Sequence, residues 1–259
     1  MYCLIIGTPL KKPRSVPLWN NFFKKKKMKV KMFEKDIKQK NFKMEILKIF
    51  KDPKFLAAAI TMPYKKELTK YVKIKDKLTK SAKSINFVIR KNSSFLGFNT
   101  DIFGAIETIK NFKKKKIIIY GYGGAGEAIL RTFYKTYKKS SFIVVSKKKI
   151  LEFNKKRVKF VKKLEKDSLL SADIFINCSP LGSNLKKKYL KKSPLTTDQF
   201  QNINKNILIF DIVYKPKRTK LSYQCKNFSI KYVNGLKMNS FQALKALMII
   251  SKVYRNYGK

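Results

Sequence analysis

A two-domain α/β architecture is predicted for this 259-residue chain by three features. Short apolar, β-branched runs alternate with segments of helical spacing, the pattern of βαβ units around parallel sheets. A glycine-rich loop, Gly121-Tyr122-Gly123-Gly124-Ala125-Gly126, follows one such run and opens a helix. A second series of strands and helices begins near Asp101, where a domain boundary is expected.

The elements can be justified in order. Residues 3–7 read as a strand and 16–23 as the start of a helix. Residues 29–33 suit a second strand. The stretch 37–50 has helical spacing, with Phe42, Ile46, Leu47 and Phe50 as its apolar positions. A strand at 55–61 precedes a helical region at 65–80. Residues 85–90 and 95–98 flank Lys91-Asn92-Ser93-Ser94, a hairpin turn signal. A helix at 101–111 leads into the strand 116–120, whose Ile117-Ile118-Ile119 is too apolar for a surface position. A helix at 127–137 follows, then strands at 142–145, 174–177 and 207–211, and a long terminal helix over 235–254.

Composition limits the chemistry. With 44% hydrophobic residues, the chain can bury a real core. The absence of histidine excludes His-ligated zinc, Ser-His and Cys-His nucleophile pairs and imidazole acid/base catalysis. Proton transfer falls to Lys, Asp, Glu, Tyr or Cys. Three scattered cysteines suit neither a disulfide framework nor a metal site, so a reduced, cytoplasmic protein without bound metal is expected. The N-terminus lacks a basic leader, and no apolar run reaches the ~20 residues of a spanning helix, so no membrane association is expected. Lys and Arg total 62 against 15 Asp and Glu, a net charge of +47. The lysines are spread along the whole chain, with no basic arm and no aromatic-interleaved motif, so no specific nucleic-acid partner is expected. Frequent Lys, Ile, Asn, Phe and Tyr, all with A/T-rich codons, account for the excess as base-composition drift.

The glycine loop fits G-x-G-x-x-G between a strand and a helix, the context of a dinucleotide site. Its first glycine permits the tight turn. The second lets backbone approach a pyrophosphate, which the helix N-terminus favours. The next strand ends in Val145-Ser146-Lys147-Lys148 with no acid to hold a ribose 2′-hydroxyl, so NADP is preferred to NAD.

Further segments combine with this loop: Gly7-Thr8-Pro9-Leu10 with Ser15 and Asn20, Thr61-Met62-Pro63-Tyr64-Lys65, Asn86, and Asn99-Thr100-Asp101. Downstream lie Asn177-Cys178-Ser179-Pro180-Leu181-Gly182, Asp211-Ile212-Val213-Tyr214, and Gly235-Leu236-Lys237-Met238 with Gln242. In this order and spacing the chain resembles the shikimate dehydrogenases, nearly end to end. The resemblance implies an N-terminal α/β substrate domain (1–101) completed by the C-terminal helix (237–259), a Rossmann NADP-binding domain (102–236), and an active site in the cleft between them. It implies Lys65 and Asp101 as the catalytic pair. It implies Ser15, Thr61, Lys65, Asn86, Asp101, Tyr214 and Gln242 as substrate ligands. It implies Gly121, Tyr122, Gly123, Gly124, Ala125, Ser146, Lys147, Lys148, Ile212 and Gly235 as cofactor contacts. The expected activity is reversible NADPH-linked reduction of 3-dehydroshikimate to shikimate, by a monomer or homodimer.

The chemistry agrees. Carbonyl reduction needs a proton donor beside the developing alkoxide, and without histidine Lys65 is the natural one. Asp101 can orient the ammonium, although an Asp here also suits a helix N-cap. The chain departs from the family pattern at several points. Pro13-Arg14-Ser15-Val16 retains one of two usual serines, and Ala59 replaces a usual Asn. Ser146-Lys147-Lys148 replaces an Asn-Arg-Thr phosphate clamp, lysines surround Thr79 where an acid is expected, and Lys237 replaces Gly. These changes predict weaker binding and the same reaction. The rival readings are a quinate/shikimate dehydrogenase with broader substrate or NAD use, and a basic nucleic-acid-associated protein on a decayed enzyme scaffold.

Overall fold

The structure, a computed structural model, describes residues 1–147 and 156–256. The chain forms two compact units, one of Met1–Phe103 with the residues from Phe241 onward, the other of Gly104–Ser240.

The first unit opens with β1 (Tyr2–Gly7), α1 (Ser15–Lys25), β2 (Lys31–Asp36), α2 (Phe42–Lys51) and β3 (Phe55–Ile60). It continues with α3 (Lys77–Ala82), β4 (Phe87–Lys91), β5 (Ser94–Phe98) and the first turn of α4 (Thr100–Ile109), whose residues from Gly104 onward belong to the second unit. The first unit's five-stranded sheet has the order β2-β1-β3-β4-β5. β1 runs parallel to β2 and β3, whereas β4 pairs antiparallel with both β3 and β5. The sheet is therefore mixed and not wholly parallel. The β4–β5 pairing has a local cause: the turn after Lys91 is too short for a crossover, and Asn92 takes a left-handed φ of 54° there.

Alternation along the strands feeds two cores. Cys3, Ile5, Phe87 and Ile89 face Trp19 and Phe23 of α1 and Ala246, Leu247 and Ile250 of the terminal helix. Leu4, Ile6 and Val88 face Phe42, Ile46 and Ile49 of α2. Leu47, expected on the apolar face, is 43% exposed, and Ile49 is buried in its place. α2 also starts at Phe42 rather than near Ile37. The continuous helix expected over 65–80 is absent. A 3₁₀ turn at Glu67–Tyr71 and the short α3 flank an extended stretch in which Lys73 exchanges backbone hydrogen bonds with Phe95 and Gly97. The β-branched Val72 and Ile74 on either side favour that extended backbone.

The second unit contains β6 (Lys116–Tyr120), α5 (Gly124–Thr136), β7 (Ser141–Val145), β8 (Val158–Val161), α6 (Lys166–Leu170) and β9 (Ile174–Asn177). After these come α7 (Lys187–Leu190), α8 (Thr197–Gln201), β10 (Leu208–Asp211), α9 (Lys220–Asn227), β11 (Lys231–Asn234) and the first turns of α10 (Gly235–Tyr254), whose residues from Phe241 onward belong to the first unit. The second unit's six strands are parallel in the order β11-β10-β9-β6-β7-β8, the doubly wound arrangement whose order reverses between β6 and β9. The edge strands β8 and β11 carry Lys159 and Lys231, which mask their strand patterns in the sequence. Ligands of such sheets bind outside the carboxyl ends of the strands at the reversal.

Candidate functional site

In the first unit, backbone hydrogen bonds pin the segment that carries Lys65. Thr61 N donates to Ile6 O at 2.9 Å, Tyr64 N to Thr61 O at 3.1 Å, and Ile85 N to Lys65 O at 2.8 Å. The buried Tyr64 ring stacks on Phe42 with centroids 4.0 Å apart, and its hydroxyl donates to the carbonyl of Ile37. A Cβ on Gly7 would stand 2.3 Å from Thr61 Cγ2, so only glycine lets β1 approach this segment so closely.

Held in this way, Lys65 Nζ lies 2.6 Å from Asp101 Oδ2, with 36% and 27% of the two side chains exposed. The pair is fixed and open to a ligand. Asp101 is not the helix N-cap. Asn99 holds that position, accepting from Ile102 N at 3.1 Å through Oδ1, while its Nδ2 donates to Ser84 O at 3.0 Å. This division of labour leaves the Asp101 carboxylate for Lys65.

Beside the pair, Asn86, Thr100 and Gln242 form one cluster. Asn86 Nδ2 donates to Thr100 Oγ1 at 3.0 Å and to Gln242 Oε1 at 3.3 Å; Thr100 N donates to Asn86 Oδ1 at 2.6 Å. Thr100 Oγ1 also lies 3.1 Å from Gln242 Oε1. Sequence reasoning missed Thr100 as the hub of this cluster, although it lies within the quoted Asn99-Thr100-Asp101. The structure thus brings Lys65 together with Asp101, and Asn86 together with Gln242 through Thr100, while Thr61 is tied through its backbone to Ile6 and Tyr64. Ser15 opens α1, and among the described residues no hydrogen bond links it to these residues. Asn20 acts as a clamp, donating to Met32 O at 3.1 Å and accepting from Met32 N at 2.7 Å. Tyr214 belongs to the second unit, half-buried in the loop after β10.

In the second unit the glycines divide their roles. Gly121 has φ +98°, and its added Cβ would lie 3.0 Å from Ser179 N. A Cβ on Gly126 would lie 2.0 Å from Gly121 O, so glycine there lets α5 sit tightly against the end of β6. Gly123 and Gly124 would meet nothing within 4 Å. Gly123 caps α5 without a side-chain hydrogen bond. Uncapped first-turn amides, fronted by open space at the sheet's reversal point, fit a dinucleotide pyrophosphate. α5 begins at Gly124, three residues before the expected start, because Ala125 and Gly126 turn directly into the helix.

Ser146 and Lys147 follow β7; Lys148 lies outside the described residues. A Cβ on Gly235 would stand 2.1 Å from Ile212 O, which brings these two backbone positions together. Cys178 is buried, and burial pushes its thiol well above the ordinary range, so it packs rather than reacts. Among the described residues no helix is long and apolar enough to cross a membrane, and no group of three or more His, Cys, Asp or Glu side chains could hold a metal ion.

Known proteins share this architecture. Residues 5–88 match the model of the shikimate dehydrogenase substrate binding domain. A shikimate dehydrogenase (NADP(+)) of Clostridium botulinum (strain Hall) is 28% identical over 253 residues, covering 94% of this chain and 93% of the relative. A Pelagibacter ubique enzyme of the same name is 26% identical over 255 residues, covering 96% and 93%. A crystal structure of a shikimate dehydrogenase in complex with NADP+ superposes with a TM-score of 0.82 at 25% identity, covering 98% of this chain and 93% of that one. The substrate-domain match over residues 5–88, the relatives aligned over nearly the whole length and the superposed structure make this chain similar to the shikimate dehydrogenases from end to end.

Proposed function

We propose that this chain catalyses the reversible NADP-linked interconversion of shikimate and 3-dehydroshikimate, with Lys65 as the acid/base. The observation that carries the assignment is the 2.6 Å Lys65–Asp101 pair beside the Asn86, Thr100 and Gln242 cluster. In reduction, the Lys65 ammonium gives its proton to the carbonyl oxygen as negative charge develops there. In oxidation, the neutral amine takes the proton of the substrate hydroxyl. Asp101 holds the ammonium in place and accepts from a neighbouring substrate hydroxyl. Asn86 and Gln242 supply paired donors and acceptors for further hydroxyls, as a polyol acid requires. Ser15, Thr61 and Tyr214 complete the substrate set.

When bound, the nicotinamide supplies or accepts the hydride. The backbone of Gly121 to Ala125 would hold its pyrophosphate, Ile212 and Gly235 its nicotinamide side, and Ser146, Lys147 and Lys148 a 2′-phosphate. A lysine there neutralises phosphate as a point charge, without the bidentate fork of arginine. The proposed setting is the cytoplasm, with the protein acting as a monomer or homodimer.

The test is an initial-rate comparison of purified protein with shikimate and quinate, each with NADP and NAD. Fastest turnover of shikimate with NADP supports the proposal. Faster quinate oxidation with NAD assigns the broader quinate/shikimate activity instead. No turnover at all, combined with nucleic-acid binding that survives moderate salt, favours the decayed-scaffold reading.

A further inference from the structure

One buried acid has no part in this chemistry. Asp211 ends β10 with 0% of its surface exposed and no cation against it among the described residues; it is held by four donors. Oδ1 accepts from Val213 N and from Asn177 Nδ2, both at 3.0 Å. Oδ2 accepts from Thr219 Oγ1 at 3.1 Å and Tyr232 OH at 3.3 Å. A buried charge satisfied only by neutral donors is costly to keep unless its geometry is needed.

The donors lead to the two loops that leave the carboxyl ends of β9 and β10. Asn177 relays the hold: its Oδ1 accepts from Ser179 N at 3.1 Å and Ser179 Oγ at 2.7 Å, while its Nδ2 reaches Leu181 O at 3.2 Å. Ser179 N is the atom that packs against Gly121 of the glycine loop. The second loop follows directly from Asp211 through Ile212, Val213 and Tyr214. Ile212 N donates to Asn177 O at 3.2 Å, and Asn184 N to Lys215 O at 3.1 Å, so the loops are also tied to each other.

We infer that Asp211 is a positioning residue for cofactor binding: as a carboxylate it sets the shape of loops 177–182 and 212–215 at the reversal point of the sheet, and thereby the affinity for NADPH. An amide at this position offers one acceptor oxygen and places an N–H₂ toward two donors, so Asn cannot hold all four. A protonated carboxyl is equally unable to, since its O–H must itself donate. Burial raises the Asp211 pKa from its usual value to about 6, with the four hydrogen bonds opposing that rise. The titratable groups facing it are Tyr232 on β11, Cys178 after β9 and Cys225 on α9. All three are pushed above their ordinary ranges and stay neutral through the window concerned.

The inference rests on the dehydrogenase reading, and the experiment separates the two. Wild-type protein that fails to oxidise shikimate with NADP overturns that reading. Given an active wild type, NADPH affinity is measured by nucleotide fluorescence for wild type and Asp211→Asn from pH 5 to 8. The expected result is about tenfold weaker binding for Asp211→Asn at pH 8, equivalent to about 1.4 kcal/mol. The gap should close toward pH 5 as wild type loses its own carboxylate. Taking the ratio of the two affinities cancels the titration of the ligand's own 2′-phosphate, which also falls near pH 6. In unliganded protein, amide exchange in 178–183 should rise in the variant while α5 keeps its protection.

Tyr232→Phe removes only one of the four donors and keeps the ring, so it tests the inference even if Asp211→Asn folds poorly. It should shift the pH at which affinity falls upward. Equal NADPH affinity of wild type and Asp211→Asn, a pH-independent ratio, or an unmoved midpoint in Tyr232→Phe overturns the inference.

Discussion

Gly126→Ala gives the sharpest test of the glycine loop. The new Cβ would lie 2.0 Å from Gly121 O. Real Cβ contacts essentially never fall under 3.0 Å, so helix and strand end must separate by at least 3.0 − 2.0 = 1.0 Å. The atom in the way is backbone at a residue with φ +98°, so no flexible side chain can yield. Overpacking of this kind costs about 1–3 kcal/mol, offset by up to roughly 1 kcal/mol from the better helix propensity of alanine. The net expectation is a loss of about 1–2 kcal/mol in urea denaturation of the unliganded protein. Displacing the first-turn amides by an ångström should also weaken NADPH binding about tenfold, near 1.4 kcal/mol. Gly123→Ala is the matched control. Its backbone is extended and its Cβ meets nothing within 4 Å, so stability should change by less than about 1 kcal/mol, the scale of an altered N-cap. Its NADPH affinity should nevertheless fall, because the new methyl occupies the space through which backbone approaches the pyrophosphate. Gly126→Ala with wild-type stability would refute the packing argument. Gly123→Ala with unaltered affinity would refute the assignment of that open space to the cofactor.

Three further outcomes follow from the geometry. Thr100→Val removes the hydroxyl between Asn86 and Gln242; at about 1 kcal/mol for each of its two hydrogen bonds, the KM for shikimate should rise roughly thirtyfold with NADPH affinity unchanged. Unaltered shikimate KM would remove Thr100 from the site. Arg157 caps the end of α5, donating to the carbonyls of Tyr134, Tyr137 and Ser140 at 2.8, 3.0 and 2.6 Å. Arg157→Lys cannot span all three, so thermal unfolding should fall by several degrees with the KM for shikimate unchanged; an unshifted midpoint would contradict this. Asp211 has a native pKa above its unfolded value, so native protein takes up the proton first as pH falls. Its contribution is unfavourable above about pH 6 and is relieved between about 6 and 4. The stability of wild type relative to Asp211→Asn should therefore rise across that window in urea titrations, and a flat or falling difference would show that burial does not govern this group.

Much of the fold was legible in the sequence because its strongest signals are local. The runs at β1, β3, β6 and β9 are continuous and apolar, and Gly121 to Gly126 announces the turn into α5. The failures occur where tertiary contacts outweigh local pattern. Val72 and Ile74 lie within a helical-looking stretch, yet Lys73 between them pairs with β5. Leu47 fits the apolar face of α2 by spacing but faces solvent, because the strands below receive Ile46 and Ile49. The charge drift toward lysine hid β8 and β11. At the site, Lys65 could not be told from the other lysines by its type, only by its place after Thr61-Met62-Pro63. Its partner in Asp101 was expected, but the cap at Asn99 and the hub at Thr100 were not. Both depend on which side chain turns inward over a single turn of helix, and residue spacing does not encode that. Asp211 was quoted as part of a motif without a role, since burial beside four neutral donors is a property of packing.

The central claim is that Lys65 moves the proton while the cofactor site stands apart from it in function. Single-turnover oxidation of shikimate with saturating NADP, in wild type and Lys65→Ala, tests it directly when NADPH affinity is titrated on the same samples. The account predicts a rate reduced by about 10²–10⁴, the usual contribution of general acid/base catalysis, with NADPH affinity unchanged. A variant that oxidises shikimate at the wild-type rate, or one that loses NADPH affinity in proportion to its rate, would contradict it.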